Sequence, residues 1–444
     1  MNRRAVFIAG CRTPFARSNT ELADLSAYDL ARMAIKGLLV RYGISAGDVD
    51  HVLLGSVVQN VRTTNVAREA ALAAGIPATV PAHTITMACI SSNRAGASAA
   101  EMIASGQAEV VLIGGTESLS DVPIVLKKPL RRRLAAARRV KSPSGYLSLL
   151  RGLRPADLAP EAPSIAEYST GKTMGESGEE LAALFGISRQ AQDQYAMESH
   201  HRAASAWESG HLADEVVPVM LAGHAAPFVR DNGIRADTSM EKLARLEPAF
   251  VKPYGNLTAG NSTYLTDGAS AALVASETYA REHDLDALAY LGPHVFVAQE
   301  PNEELLLGPA TAIPNVLDAA GLQLEDVDVF EVHEAFAGQM LAVLAALESE
   351  RFARERLGRQ RPVGVIPRAK LNAWGGSLSV GHPFGATGVR LITTAVHRLY
   401  AEDGRFALVA ACAAGGLGTA MILERHPNGV GRHAFPTLAL SNRT

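Results

Sequence analysis

Four side chains in this 444-residue chain have the chemistry of group transfer, and each lies in a stretch suited to present it. Cys89 follows Thr84-Ile85-Thr86-Met87-Ala88 and precedes Ile90-Ser91-Ser92-Asn93-Arg94-Ala95-Gly96. The β-branched run predicts a buried strand. The small residues through Ala104, closed by Gly106, predict a helix. A thiol at that corner faces the free N–H groups and positive end of the helix, which favour a thiolate and a lowered pKa. His382 stands in the stretch Trp374 to Gly388, among Gly375, Gly376, Gly381, Gly385 and Gly388. Glycines permit close backbone approach and positive φ, so this loop reads as one that holds an imidazole against a ligand. Cys412 ends an apolar run just before Gly415-Gly416-Leu417-Gly418, which places a second thiol where the chain turns sharply. His333 opens His333-Glu334-Ala335-Phe336-Ala337, which is no zinc HExxH because its fifth residue is Ala337. Taken singly, each of these is as readily a packed core residue; together they call for elements that would bring them to one place.

Those elements alternate. Ala5 to Ala9 predicts a buried strand, Ser26 to Tyr42 a helix, His51 to Leu54 a strand, Thr64 to Ala74 a helix and Ala108 to Ile113 an apolar strand. Cys11, just past the first strand, reads as structural. After Ala249 the same character returns, with strands at Ala271 to Ala275, Val327 to Val332 and Ala407 to Ala411 and a helix at Gly388 to Tyr400. Strands alternating with helices define an α/β layered fold. The second part also echoes the first. Gly43, Asp48, Val49 and Asp50 recur at one offset as Gly321, Asp326, Val327 and Asp328, so two similar halves with a shared cleft are expected. The stretch 121 to 250 differs, with more proline and charge. Within it, 127 to 141 carries eight basic residues and no acid, and Tyr146 to Leu153 is amphipathic. The segment 127–153 reads as a solvated face, or as a surface for an acidic partner, a phosphate-bearing ligand or an anionic membrane. Glu179 to Trp207 predicts one or two helices with a core stripe of Leu181, Ala182, Leu184 and Phe185.

Composition narrows the class. Hydrophobic residues make up 48%, enough for a sizeable core, and a formal net charge of −3 gives no bulk attraction to nucleic acid. Three isolated cysteines argue against a disulfide framework or a zinc pair and for a reducing compartment. The N-terminal apolar run is too short for a secretory signal, and Phe406 to Leu423 reads as strand–turn–strand rather than a membrane span. A soluble, cytoplasmic protein is expected.

From about Arg4 to Glu424 the chain resembles the thiolases, the 3-ketoacyl-CoA thiolases or acetyl-CoA acyltransferases. The motifs are the Cys89 corner, Thr258-Ala259-Gly260-Asn261, Asp267-Gly268-Ala269, His333-Glu334-Ala335-Phe336-Ala337, Gly381-His382-Pro383-Phe384-Gly385 and the Cys412 glycine turn. Most thiolases have Asn where His333 stands. The His form resembles the branch of the trifunctional-enzyme β subunit and its bacterial relatives. The resemblance implies a thiolase-like fold of two pseudo-twofold-related α/β/α halves with a long inserted loop domain. The halves are 1–120 plus 251–276, with Cys89, and 277–427, with His333, His382 and Cys412; the insertion is 121–250 and the tail 428–444.

It also implies roles. His382 takes the Cys89 proton and the thiolate attacks the 3-keto carbon of a 3-ketoacyl-CoA. Cys412 gives a proton to the departing acetyl-CoA enolate, and a second CoA collects the acyl group. His333, directly or through a water, and His382 serve one oxyanion; the backbone N–H groups of Cys89 and Ala414 serve the other. A titratable His333 makes that donor sensitive to pH near neutrality. Thr263, Met174, Phe336 and Arg235 are candidate contacts to the acyl chain, pantetheine or phosphates, and Thr173 replaces a His of acetyl-specific members. No metal or redox cofactor is implied, and coenzyme A is a co-substrate. A homodimer or homotetramer, with or without a hydratase/dehydrogenase α subunit, is expected. The alternatives are a biosynthetic acetyl-CoA acetyltransferase and a silent thiolase-like lipid carrier, which the retention of Cys89, His382 and Cys412 speaks against.

Overall fold

A computed structural model describes residues 3–161 and 166–431. Nine strands form one hydrogen-bonded path, and its order exposes the internal symmetry. One half runs Ala82–Ile85, His51–Gly55, Val110–Glu117, Thr266–Ser276 and Ala5–Arg12. The other continues Ala289–Ala298, Leu417–Arg425, Phe406–Ala413 and Val329–Val332. In each half the strand after the Gly-Asp-Val-Asp repeat pairs in parallel with the next and antiparallel pairings follow. The halves join where Val6 and Phe7 meet Tyr290 and Ala289.

The repeat has a physical reason. Gly43 and Gly321 end their helices in the left-handed conformation, with φ of 63° and 68°, which costs glycine nothing. Asp50 Oδ2 then accepts from the N–H groups of Glu109 and Val110, and Asp328 Oδ2 from those of Arg405 and Phe406. Each aspartate staples the neighbouring strand at its start.

Three apolar clusters lie on the two faces of the path. Helices Ala27–Tyr42 and Val66–Ala74 cover one half with Leu30, Ile35, Leu38 and Ala70. Helices Gly308–Ala320 and Ala337–Glu348 cover the other with Ile313, Val316, Met340 and Val343. Between the halves lie Ser91–Ala104 and Thr387–Ala401, whose Ala95, Ala99, Val389 and Ile392 share one core with Phe7, Ile113, Val274 and Val409. The small residues of Ser91–Ala104 serve this purpose, since they let the two helices pack together against strands of both halves.

Several expectations need correction. The strand before Cys89 is Ala82–Ile85, a part-exposed edge and not a buried strand, because only His51–Gly55 flanks it. Leu184, expected in the core, is 60% exposed; it ends its helix, Met174–Leu184, while Leu181 and Ala182 are buried. The strand Ala289–Ala298 and the helices Gly308–Ala320 and Ala337–Glu348 were not anticipated. The inserted stretch carries a two-strand ribbon, Val125–Leu126 with Pro160–Glu161, and exposed helices at Lys128–Ala137 and Pro143–Leu150. Further on, Arg189–Glu208 packs Tyr195 and Ala196 into the second half's core. Of the tail, 432–444 lies outside the described residues. Among the described residues no helix is long and apolar enough to cross a membrane.

Candidate active site

Cys89 sits two residues before the Ser91–Ala104 helix, after a backbone kink at Ala88, whose φ of 46° is uncommon for a residue with a Cβ. Ser91 holds the kink: its hydroxyl donates to the Ala88 carbonyl at 2.6 Å and accepts from the Met87 N–H at 2.8 Å. The kink turns Cys89 into a cavity of 280 Å³ that His333, His382 and Cys412 also line. Residues 89, 333, 382 and 412 thus meet at one place from two halves. A larger polar cavity of 660 Å³, beside Asp24, Asp29, Glu69 and Asp121, holds none of the four.

His382 is placed by its glycines and by the first half. Gly381 has φ of 107°, and its next residue's N–H donates to Thr266 Oγ1 at 3.0 Å. A Cβ at Gly115 would overlap the Gly385 carbonyl, so only glycine lets the strand end Val110–Glu117 approach this loop. Glu117 completes the clamp by accepting from the N–H groups of Val57, Val58 and Gly385. Burial raises its pKa to about 7 despite those three bonds, and Asp267 adds to the rise. Cys412 is the last residue but one of the strand Phe406–Ala413, and Gly415 and Gly416, at φ of 84° and 70°, reverse the chain behind it. Glu334, buried, accepts from Tyr195, Ser199, Asn372 and the Leu378 N–H, and so ties the His333 segment to the stretch before His382.

The electrostatics overturn two expectations, a lowered Cys89 pKa and a His333 that titrates near neutrality. Burial pushes the Cys89 thiol up to about 11, and the helix start does not reverse it. The Ala414 N–H and the residue's own N–H pull toward the thiolate, while Glu117 opposes them. Cys89 keeps some exposure through the cavity mouth, yet its sulfur is surrounded by apolar groups. Cys412 is raised by burial and further by Cys89. Both imidazoles go the other way: burial, then Arg390, takes His333 to about 3, and burial, then His333 and Arg390, holds His382 well below the usual range. His333 therefore does not titrate near neutrality. The resting centre is two neutral thiols and two neutral imidazoles.

The remaining candidates divide. Thr263, Met174, Phe336 and Ala414 line the cavity, with Thr173, Phe250 and Leu306 beside them. The Thr263 hydroxyl is already committed, donating to the Ser377 carbonyl at 2.9 Å. Arg235 is not brought to the cavity; it is exposed, and its N–H donates to His200 Nδ1. Glu117, Ser377, Thr387 and Arg390 were given no role from sequence. The one signal was a Glu closely following the apolar run Val110 to Ile113, a place where a carboxylate has to be answered by donors.

A thiol nucleophile, an imidazole beside it, a second thiol and clustered N–H donors define a centre for acyl transfer through a thioester. The chain belongs to the thiolase family. Residues 5–278 match the family's N-terminal domain and 285–425 its C-terminal domain. It is 50% identical to the mitochondrial trifunctional enzyme subunit beta of Rattus norvegicus over 425 residues, covering 96% of this chain and 89% of the relative. It is 49% identical to a probable 3-ketoacyl-CoA thiolase of Caenorhabditis elegans, over 95% of this chain and 94% of the relative. The crystal structure of human mitochondrial 3-ketoacyl-CoA thiolase in complex with CoA superimposes with a TM-score of 0.81 at 31% identity, over 96% of this chain and 98% of that one. The protein is a thiolase-family acyltransferase.

Proposed function

We propose that this enzyme cleaves medium- to long-chain 3-ketoacyl-CoA with coenzyme A, giving a shortened acyl-CoA and acetyl-CoA. The observation that carries the reading is the single cavity lined by Cys89, His333, His382 and Cys412. His382 takes the thiol proton as Cys89 attacks the keto carbon, so charge separates only as the new bond forms. The acetyl-CoA enolate then leaves and takes a proton from Cys412. The proton on His382 resets Cys412, and the incoming CoA thiol releases its own as it attacks the acyl-enzyme, restoring Cys89. The Cys89 and Ala414 N–H groups serve the oxygen of the Cys89 adduct, His333 and His382 the second oxyanion. Met174, Phe250, Leu306 and Phe336 give the cavity an apolar wall suited to an acyl chain and pantetheine.

Steady-state thiolysis of C16 and C4 ketoacyl-CoA tests the reading. Turnover of the C16 substrate is expected; activity confined to C4 would reject it in favour of a condensing acetyl-CoA acetyltransferase. Absence of any acyl adduct on the Cys89 peptide after incubation with acyl-CoA would leave only a silent carrier. The reading brings a homodimer or homotetramer in a reducing, cytoplasmic setting, which three free cysteines support. The relatives named as subunit beta support a second subunit, for which the hydratase/dehydrogenase α subunit is the candidate. The exposed basic helix Lys128–Ala137, with Tyr146 and Leu147 exposed nearby, offers that subunit or an anionic membrane surface a face. Co-purification from the native source checks the partner.

A further inference from the structure

The two imidazoles of the cavity stand with ring centroids 4.0 Å apart, inclined at 41°. The Nε2 atoms of both are buried without a partner. Their Nδ1 atoms are each 2.8 Å or less from a hydroxyl, and the two hydroxyls are not alike. Thr387 Oγ1 donates to the Pro383 carbonyl at 3.0 Å, so its proton is committed. It is therefore the acceptor for His382, 2.6 Å away, and the His382 proton lies on Nδ1. The Nε2 of His382 is left as a bare lone pair. Ser377 Oγ is differently placed. Arg390 Nη2, which can only donate, reaches it at 2.9 Å. Among the described residues His333 Nδ1, at 2.8 Å, is the acceptor within reach of the Ser377 hydroxyl proton, and that bond assigns the His333 proton to Nε2.

We propose that Ser377, backed by Arg390, is a positioning residue that fixes His333 as the Nε2–H tautomer, so that two adjacent, mutually inclined imidazoles face the cavity as one donor and one acceptor. The division suits the chemistry. As the Cys89 S–C bond forms, the thiol proton passes to the His382 lone pair. When the carbon–carbon bond breaks and the electron pair moves onto the enolate oxygen, His333 N–H meets that charge without having to gain a proton. The opposite tautomer of His333 would present a lone pair to an oxyanion. This rests on the proposed thiolysis and names the residue that makes His333 a donor where most of the family has an amide.

The test is a double-mutant cycle with S377A, S377T and H333N, assayed by thiolysis, with thermal unfolding as a check on folding. In the presence of His333, S377A is expected to lower kcat about 100-fold with KM nearly unchanged. S377T, which restores the hydroxyl, should recover kcat to within about threefold of the parent. In the H333N background S377A should change kcat by less than about threefold, because an amide has its donor without any tautomer to set. An equal loss in both backgrounds, or no loss in the first, overturns the proposal. Should H333N be inactive, long-range ¹H–¹⁵N spectra of histidine-labelled protein decide. They should show His333 protonated on Nε2 in the parent and as a tautomer mixture in S377A; an unchanged tautomer in S377A overturns it. Absence of thiolysis in the unmodified enzyme would reject the proposed function, and the spectra would still judge Ser377.

Discussion

The two halves share a frame and diverge in what they place on it. Asp50 and Asp328 staple their neighbouring strands alike, and Ser91–Ala104 and Thr387–Ala401 form the common central layer. The repeat equates His51 with Val329, and their partners Val111 and Ala407 then correspond. Counting five residues along each strand equates Thr116 with Cys412. Thr116 donates to the Ala27 carbonyl and is structural, whereas Cys412 faces the cavity. Likewise the central helix of the first half is preceded by Cys89 and that of the second by His382. Symmetry shapes the cleft; the departures from symmetry bring Cys89, His382 and Cys412 to its cavity, and the proposed roles of nucleophile, base and acid rest on them.

The largest effect that separates the halves is the loss of each thiol. Cys89→Ala should reduce both thiolysis and condensation by about 10⁴-fold or more, because no acyl-enzyme forms. Cys412→Ala should reduce carbon–carbon cleavage about 10²- to 10⁴-fold, the span of general acid–base catalysis, yet still load an acyl group from a simple acyl-CoA. Mass spectrometry of the Cys89 peptide distinguishes the two variants. If Cys412→Ala also fails to load, the two thiols do not have divided roles.

A smaller effect concerns charge. The thiol of Cys89 is raised, so its thiolate fraction falls below that of a free cysteine at every pH under about 11. Alkylation by iodoacetamide should therefore climb about tenfold per pH unit from 7 to 10 with no low-pH plateau. A plateau reaching down to pH 6 would mean a standing thiolate–imidazolium pair between the halves. The neutral resting pair follows from dry surroundings, which disfavour both charges at once.

Much of this frame was legible in the chain. The repeated Gly and Asp mark a helix stop and a strand staple, both local devices that leave a residue-level signature. The four side chains that line one cavity were legible as candidates because glycines and strand ends surround them. Three things were not. The direction of the Cys89 shift depends on burial by residues from both halves, which outweighs the helix start beside it. Leu184 obeys the helical period but ends its helix, where no neighbouring element covers it. Ser377 and Glu117 act through hydrogen bonds between segments far apart in sequence, and their own neighbours give no sign of the partner.

The finest comparison is between two glycines at the meeting of the central helices. A Cβ at Gly96 would come within 3.2 Å of Ile392 Cδ1, with Ile113 and Met421 side-chain tips at 3.8 and 3.9 Å. Those are flexible ends that can yield by a few tenths of an ångström. Gly96 is interior to its helix, where alanine gains about 1 kcal/mol of propensity. The gain and the crowding nearly offset, so Gly96→Ala should change unfolding free energy by less than about 1 kcal/mol in either direction. Gly388 differs, because its Cβ would overlap the backbone nitrogen and side chain of Asn93 at the start of the other helix. Backbone cannot rotate away, and the second position of a helix gains little from propensity. Gly388→Ala should cost about 1–3 kcal/mol or more, and because Asn93 lies four residues past Cys89, it should also slow acyl loading. Denaturant unfolding of both variants measures the contrast. Equal costs would mean that the two central helices slide freely past each other, and that the tight contact between nucleophile-bearing and base-bearing halves is not what sets their spacing.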